Sequence, residues 1–163
     1  MEHSNCAVAG DTKVETPEGS MALRTVAGKA ITVFTRDPSR RLRFRMMQNV
    51  RKTAEQQPVL KVTLANGETF RVAPQQVVLK KGALACRADA LRTGDLLEYG
   101  FHFPEGYRYK DDATGELRES NGCIAIAGIE PAGNADLYSL SVHKADCFML
   151  AAGVFCQAEP TPA

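Results

Sequence analysis

The sequence predicts an all-β fold, and three observations carry that expectation. Short runs rich in β-branched residues recur along the chain between turn-forming clusters. Asn66-Gly67 separates two alternating runs, 59–64 and 68–72, a strong hairpin signal because a type I′ turn needs positive φ at both central residues. No segment keeps helical spacing for more than one turn.

Taken in order, residues 12–16 alternate around Val14 and form a strand. Residues 21–28 place Leu23 and Val26 three apart, a single helical turn that Gly28 stops. Residues 30–35 are a β-branched strand, and Asp37-Pro38-Ser39 is a turn. A strand over 42–50 leads into a polar connector over 51–57, then into the Asn-Gly hairpin. Ala73-Pro74-Gln75-Gln76 precedes a short strand at 77–79 and a turn at Lys80-Lys81-Gly82. Residues 88–95 make a helical turn closed by Gly94, and 96–103 return to strand. Polar, turn-forming residues fill 104–122, expected to be a long exposed loop or hairpin and the most mobile internal segment. Strands follow at 123–129 and, after a turn at 131–134, at 137–142. The last two strands, 147–150 and 154–156, hinge at Gly153, and 159–163 form a Pro-rich, disordered tail.

The chain has 163 residues, enough for one domain with a sizeable core. Its 20 basic and 19 acidic residues leave a net charge of +1 and no basic stripe, which argues against nucleic acid and membrane surfaces as partners. Residues 1–5 lack the apolar core of a signal peptide, and no apolar run nears the ~20 residues that span a bilayer. Five cysteines are an odd number, too few for a disulfide framework, and favour a reducing, cytoplasmic setting. A monomer is expected.

Three constellations carry chemistry. Cys6-Ala-Val-Ala-Gly-Asp11-Thr12 sets a thiol among small residues, where backbone approaches closely, ahead of a strand and the turn Pro17-Glu18-Gly19. Ala73-Pro74-Gln75-Gln76 follows the hairpin and precedes an apolar strand. Leu137-Tyr-Ser-Leu-Ser-Val runs on through Asp146-Cys147-Phe148 to Gly153-Val-Phe-Cys156-Gln157-Ala158. In this order the three resemble the motifs of Hint domains, the fold shared by inteins, hedgehog autoprocessing domains and bacterial intein-like domains. The resemblance implies a pseudo-two-fold horseshoe of short strands with both termini near the centre. A loose echo, Ala22-Leu-Arg-Thr-Val-Ala-Gly28 and Ala90-Leu-Arg-Thr-Gly94, fits such a duplication.

The resemblance also implies roles. Cys6 is the nucleophile that attacks the Asn5 carbonyl in an N-to-S acyl shift. Ala73 and Gln76 stand where the family carries Thr and His in Thr-Pro-x-His. An amide donates a hydrogen bond but does not exchange its proton near neutral pH, and losing a general acid costs on the order of 100- to 10,000-fold. Asp146 falls where some inteins carry a catalytic Asp and others a His. The ending Cys156-Gln157-Ala158 replaces His-Asn before Cys, Ser or Thr. Gln157 cyclises more slowly than Asn, and Ala158 offers no acyl acceptor, so splicing by the branched route is not expected.

The expected organisation is a flank at 1–5, a Hint-like domain at 6–157 with its insertion at 104–122, and a tail at 158–163. The expected activity is self-processing, slow or impaired, with cleavage at Asn5–Cys6 and the chain's own flanking segments as substrate. No cofactor is implied. One rival is an inactive Hint-fold interaction module. Another is a thiol- or metal-responsive protein: His3, His102 and His143 are too scattered to bind metal, but the Hint resemblance, with both termini meeting centrally, implies that Cys6, Cys147 and Cys156 converge, as packed thiols or a zinc site. The first and last strands are expected to be neighbours, with Cys6 close to Gln157.

Overall fold

A computed structural model describes residues 6–101, 106–120 and 122–160. The flank 1–5, His102 and residues 161–163 therefore lie outside the described residues. The first strands are β1 (Val8–Ala9), β2 (Lys13–Thr16), β3 (Gly19–Ala22), β4 (Ile31–Arg36), β5 (Leu42–Leu64), β6 (Thr69–Val72) and β7 (Val77–Lys80). They continue as β8 (Leu84–Arg87), β9 (Leu96–Glu98), β10 (Arg108–Lys110), β11 (Leu117–Glu119), β12 (Cys123–Val142), β13 (Cys147–Met149) and β14 (Phe155–Gln157). The described residues are all-β apart from three single 3-10 turns.

The spine is the antiparallel pair β5–β12, which runs from Leu64–Ile126 at one end to Met47–Val142 at the other. Residues 51–57 are thus strand and not a connector. Their polar side chains face water while their backbone pairs with β12, so polarity misled. Likewise 131–134 is no turn but an irregularity inside β12, where the register shifts and Pro131 sits opposite Leu60. Asn49 and Gln56 bend β5 by adopting positive φ, 60° and 47°.

Three shorter strands lie beyond the expected set: β1, which pairs with β12 and β6; β3, the partner of β2; and β8, the partner of β7. The Asn-Gly hairpin forms, but not as a type I′ turn. Only Gly67 takes positive φ, and Gly67 N–H donates to the Leu64 carbonyl at 2.9 Å, giving a three-residue loop with glycine in the left-handed region. Strand β9 ends at Glu98, and within 104–122 β10 and β11 form a hairpin. Gly153 is a hinge as expected: its φ is 96°, and a Cβ there would lie 2.3 Å from the Tyr99 ring.

The echo has a structural counterpart. Gly28 N–H donates to the Val50 carbonyl on β5 at 2.9 Å, and Gly94 N–H to the Ile126 carbonyl on β12 at 2.8 Å. Leu23 and Leu91 are both buried in the same core, with Phe148, Met47, Leu97 and Leu140. Each half of the spine is therefore clamped by the same short device. The expected disorder of 159–163 fails at its first residue: Glu159 N–H donates to the Leu140 carbonyl at 2.9 Å.

Candidate functional site

Cys6 opens the site. It is fully buried, next to the point where β1 inserts between β12 and β6. Gly10 allows that insertion, since a Cβ there would lie 2.6 Å from Tyr138. Thr12 and Asp11 tie the segment to β6: the Thr12 hydroxyl donates to the Arg71 carbonyl at 2.8 Å, and Arg71 pairs with Asp11 at 2.8 Å. The Cys6 carbonyl accepts a hydrogen bond from the buried Ser139 hydroxyl. Ser139 lies in turn 3.2 Å from the Thr53 hydroxyl.

Ala73 and Gln76 face this segment from the turn after β6. Ala73 N–H donates to the Ala7 carbonyl at 2.9 Å, and Gln76 N–H closes the turn on the Ala73 carbonyl at 3.0 Å. Ala73 is fully buried against Ala7, Ala9, Val59 and Leu137. Gln76 is also fully buried. Its carboxamide oxygen accepts from Ala7 N–H at 2.7 Å. Its Nε2 donates to the Val77 carbonyl at 2.8 Å and the Gln157 carbonyl at 3.1 Å. These partners fix which way the amide points. One side chain thus joins the residue after Cys6 to the last residue of β14.

The first and last strands themselves are not paired, contrary to expectation. β1 lies between β12 and β6, whereas β14 lies between β13 and β7. The horseshoe brings both ends to the centre from different sheet segments, and Gln76 bridges them. Ala158 is buried, and its N–H donates to the Asp146 carbonyl at 2.8 Å. The Asp146 side chain points elsewhere: it is exposed and lines a surface hollow of about 300 Å³ with Arg36, Arg40 and Lys144. Cys156 is fully buried opposite Val78 on β7.

Burial pushes the Cys6 thiol up to about 12, against hydrogen bonds with the backbone of Leu140 and Glu159. Burial also raises Cys156, reinforced by the neighbouring Cys6 and Cys147 sulfurs, and raises Cys147 against a hydrogen bond from Thr35. At neutral pH these thiols are protonated, so Cys6 is a weak nucleophile as it stands. Among the described residues no group of three or more His, Cys, Asp or Glu is placed to hold a metal ion. His143 is exposed.

Ser139, Thr53 and Gln76 together fix the Cys6–Ala7 peptide, and the sequence flagged only Gln76. Ser139 and Ser141 alternate with Leu140 and Val142 along β12, yet both are buried. Two short-chain hydroxyl residues on a strand with no wet face were the available signal.

Solved structures share this fold. A variant of the Ssp DnaB mini-intein matches 99% of this chain and 99% of its own, with a TM-score of 0.75 at 15% identity. The DnaB intein from Synechocystis sp. PCC 6803 matches 94% of this chain and 99% of its own, with a TM-score of 0.71 at 13% identity. A bacterial intein-like domain from Clostridium thermocellum matches 94% and 99%, with a TM-score of 0.65 at 17% identity. The chain therefore has the Hint fold that its three motifs implied. No family model matches the chain, and no curated protein matches it in sequence.

Proposed function

We propose that this chain is a self-processing domain bounded by Cys6 and Gln157, acting on its own flanking segments. The observation that carries the reading is the Gln76 carboxamide, which holds Ala7 N–H and the Gln157 carbonyl at one centre. A fold that brings the segment after one boundary and the carbonyl of the other to a single side chain supplies the proximity that self-processing needs. The solved neighbours include inteins and an intein-like domain.

In the proposed step, Cys6 Sγ bonds to the Asn5 carbonyl carbon and the Asn5–Cys6 C–N bond breaks. The leaving nitrogen takes a proton and becomes the free amine of Cys6. Water then hydrolyses the thioester, releasing the Asn5 carboxylate and regenerating the thiol. Ser139 and Gln76 act by position, holding the carbonyl and N–H of the Cys6–Ala7 peptide. Gln76 cannot deliver the proton that the leaving nitrogen needs, and the Cys6 thiol starts protonated. Both features favour slow cleavage. Carried further, they favour the second reading, an interaction module that keeps the scaffold and does no chemistry.

Intact mass separates the two. Gln76→His with Ala73→Thr should raise cleavage before Cys6 by on the order of 100-fold or more, most visibly with added thiol at mildly alkaline pH. Cys6→Ala in that background should abolish it. Silence in the double variant installs the interaction module; cleavage that survives Cys6→Ala is ordinary proteolysis of the flank.

A further inference from the structure

The segment after Gln157 is docked in the domain. Ala158 N–H donates to the Asp146 carbonyl at 2.8 Å and Glu159 N–H to the Leu140 carbonyl at 2.9 Å. Ser141 and Glu159 form a parallel bridge. Backbone bonds of this kind are indifferent to the side chain that accompanies them.

The side-chain contact is not indifferent. Arg51 Nη1 donates to Glu159 Oε1 at 2.7 Å, and Arg51 Nη2 to Oε2 at 3.2 Å. Two parallel N–H donors fit a carboxylate and neither an amide nor an ammonium group. The Glu159 side chain is 17% exposed and that of Arg51 43%. The carboxylate, more withdrawn from water, therefore depends more on its partner. Arg51 is held in place by β5, opposite Ser139, and its Nη1 also donates to the Asn49 carbonyl at 3.0 Å. The contact sits beside the thiol, since the Glu159 backbone hydrogen-bonds Cys6.

Taking Gln157 as the C-terminal boundary, as in the reading above, we propose that Arg51 is a specificity-determining residue that selects an acidic side chain at the second position after it. Glutamate reaches both prongs of the guanidinium. Aspartate, one methylene shorter, loses one prong. Glutamine presents one oxygen and a repelled NH₂, and lysine is repelled outright. The backbone bonds thereby accept any residue with an N–H at this position, but an acidic side chain is retained longest.

The test uses the full chain and amide hydrogen exchange, read by NMR at Ala158 and Glu159 and referenced to the β13–β14 amides of the same sample. With Arg51 present, protection should fall in the order Glu, Asp, Gln, Lys at position 159. Glu159→Gln should lose roughly three- to tenfold. Arg51→Gln should lose as much, and combining the two should add nothing. Arg51→Glu should reverse the order, leaving Glu159→Lys best protected. Equal protection for all four side chains overturns the proposal. So does additive loss in the double variant, or an order that Arg51→Glu leaves unchanged. Exchange is measured with no bond cleaved, so a chain that never releases its flank still decides the matter. Cleavage at Cys6 with protection indifferent to residue 159 would sink this proposal alone.

Discussion

The proposed N-terminal and C-terminal boundaries are held by different chemistry. At Cys6 and Ala7 the partners are neutral and buried: the Ser139 hydroxyl on the Cys6 carbonyl, and the Gln76 carboxamide and Ala73 backbone on Ala7. Past Gln157 the side-chain anchor is an ion pair that stays partly in water. Neutral buried bonds have few substitutes, because each lost partner strands a polar group away from solvent. A half-exposed ion pair can be traded, weakened or screened at little cost to the fold. The Cys6 side is therefore built to be fixed, and the far side to be adjusted.

Four measurements break or sharpen this contrast. Gln76→Leu should be the most damaging, because it strands Ala7 N–H and weakens the hold on the Gln157 carbonyl; urea unfolding should show a loss of about 2–5 kcal/mol. Ser139→Ala removes one donor from the Cys6 carbonyl and should cost about 1–3 kcal/mol by the same assay. Alkali comes next. The Cys6 thiol is raised in the folded protein to about 12 from an ordinary value of 9.0, so above pH 9 the unfolded chain ionises first and holds fewer protons. Stability from this thiol is fully present below pH 9 and is lost as pH rises toward 12, by about 1.4 kcal/mol at pH 10. Cys6→Ala should flatten the fall in urea midpoint between pH 8 and pH 10, leaving the part due to Cys147 and Cys156. The smallest effect belongs to the far side: Glu159→Gln should change global stability by less than about 1 kcal/mol, and 1 M salt should erase the difference. A larger loss there than at Ser139 would invert the comparison.

The sequence exposed the fold class and the order of the motifs because both rest on local signals: β-branched runs, turn residues and fixed spacings. It exposed Cys6, Ala73, Gln76 and Gln157 as a set only through resemblance, since no local rule says that residues this far apart meet. What stayed hidden depended on tertiary pairing. β1 is a two-residue strand whose identity comes wholly from Tyr138, Leu137 and Val72 across from it. Residues 51–57 carry a loop's polarity because β5 bears solvent-facing side chains there, so composition and backbone pairing gave opposite signals. Resemblance alone puts Asp146 at a site position, yet its side chain faces the hollow beside Arg36 and Arg40 and only its carbonyl reaches the flank. Resemblance assigns a place along the chain and says nothing of the direction of the side chain.

The spine bears on how the protein comes into being. β5 lies in the first half of the chain and its long partner β12 in the last third, so the largest pairing in the molecule is also among the most distant in sequence. At a synthesis rate of about 5–20 residues per second, β5 waits seconds for β12 to emerge. During that wait its inner edge is an open template for other strands, and a topology dominated by distant pairings closes slowly once complete. The charges on the exposed side chains of Arg51, Lys52 and Glu55 disfavour pairing of the waiting edge with other nascent chains.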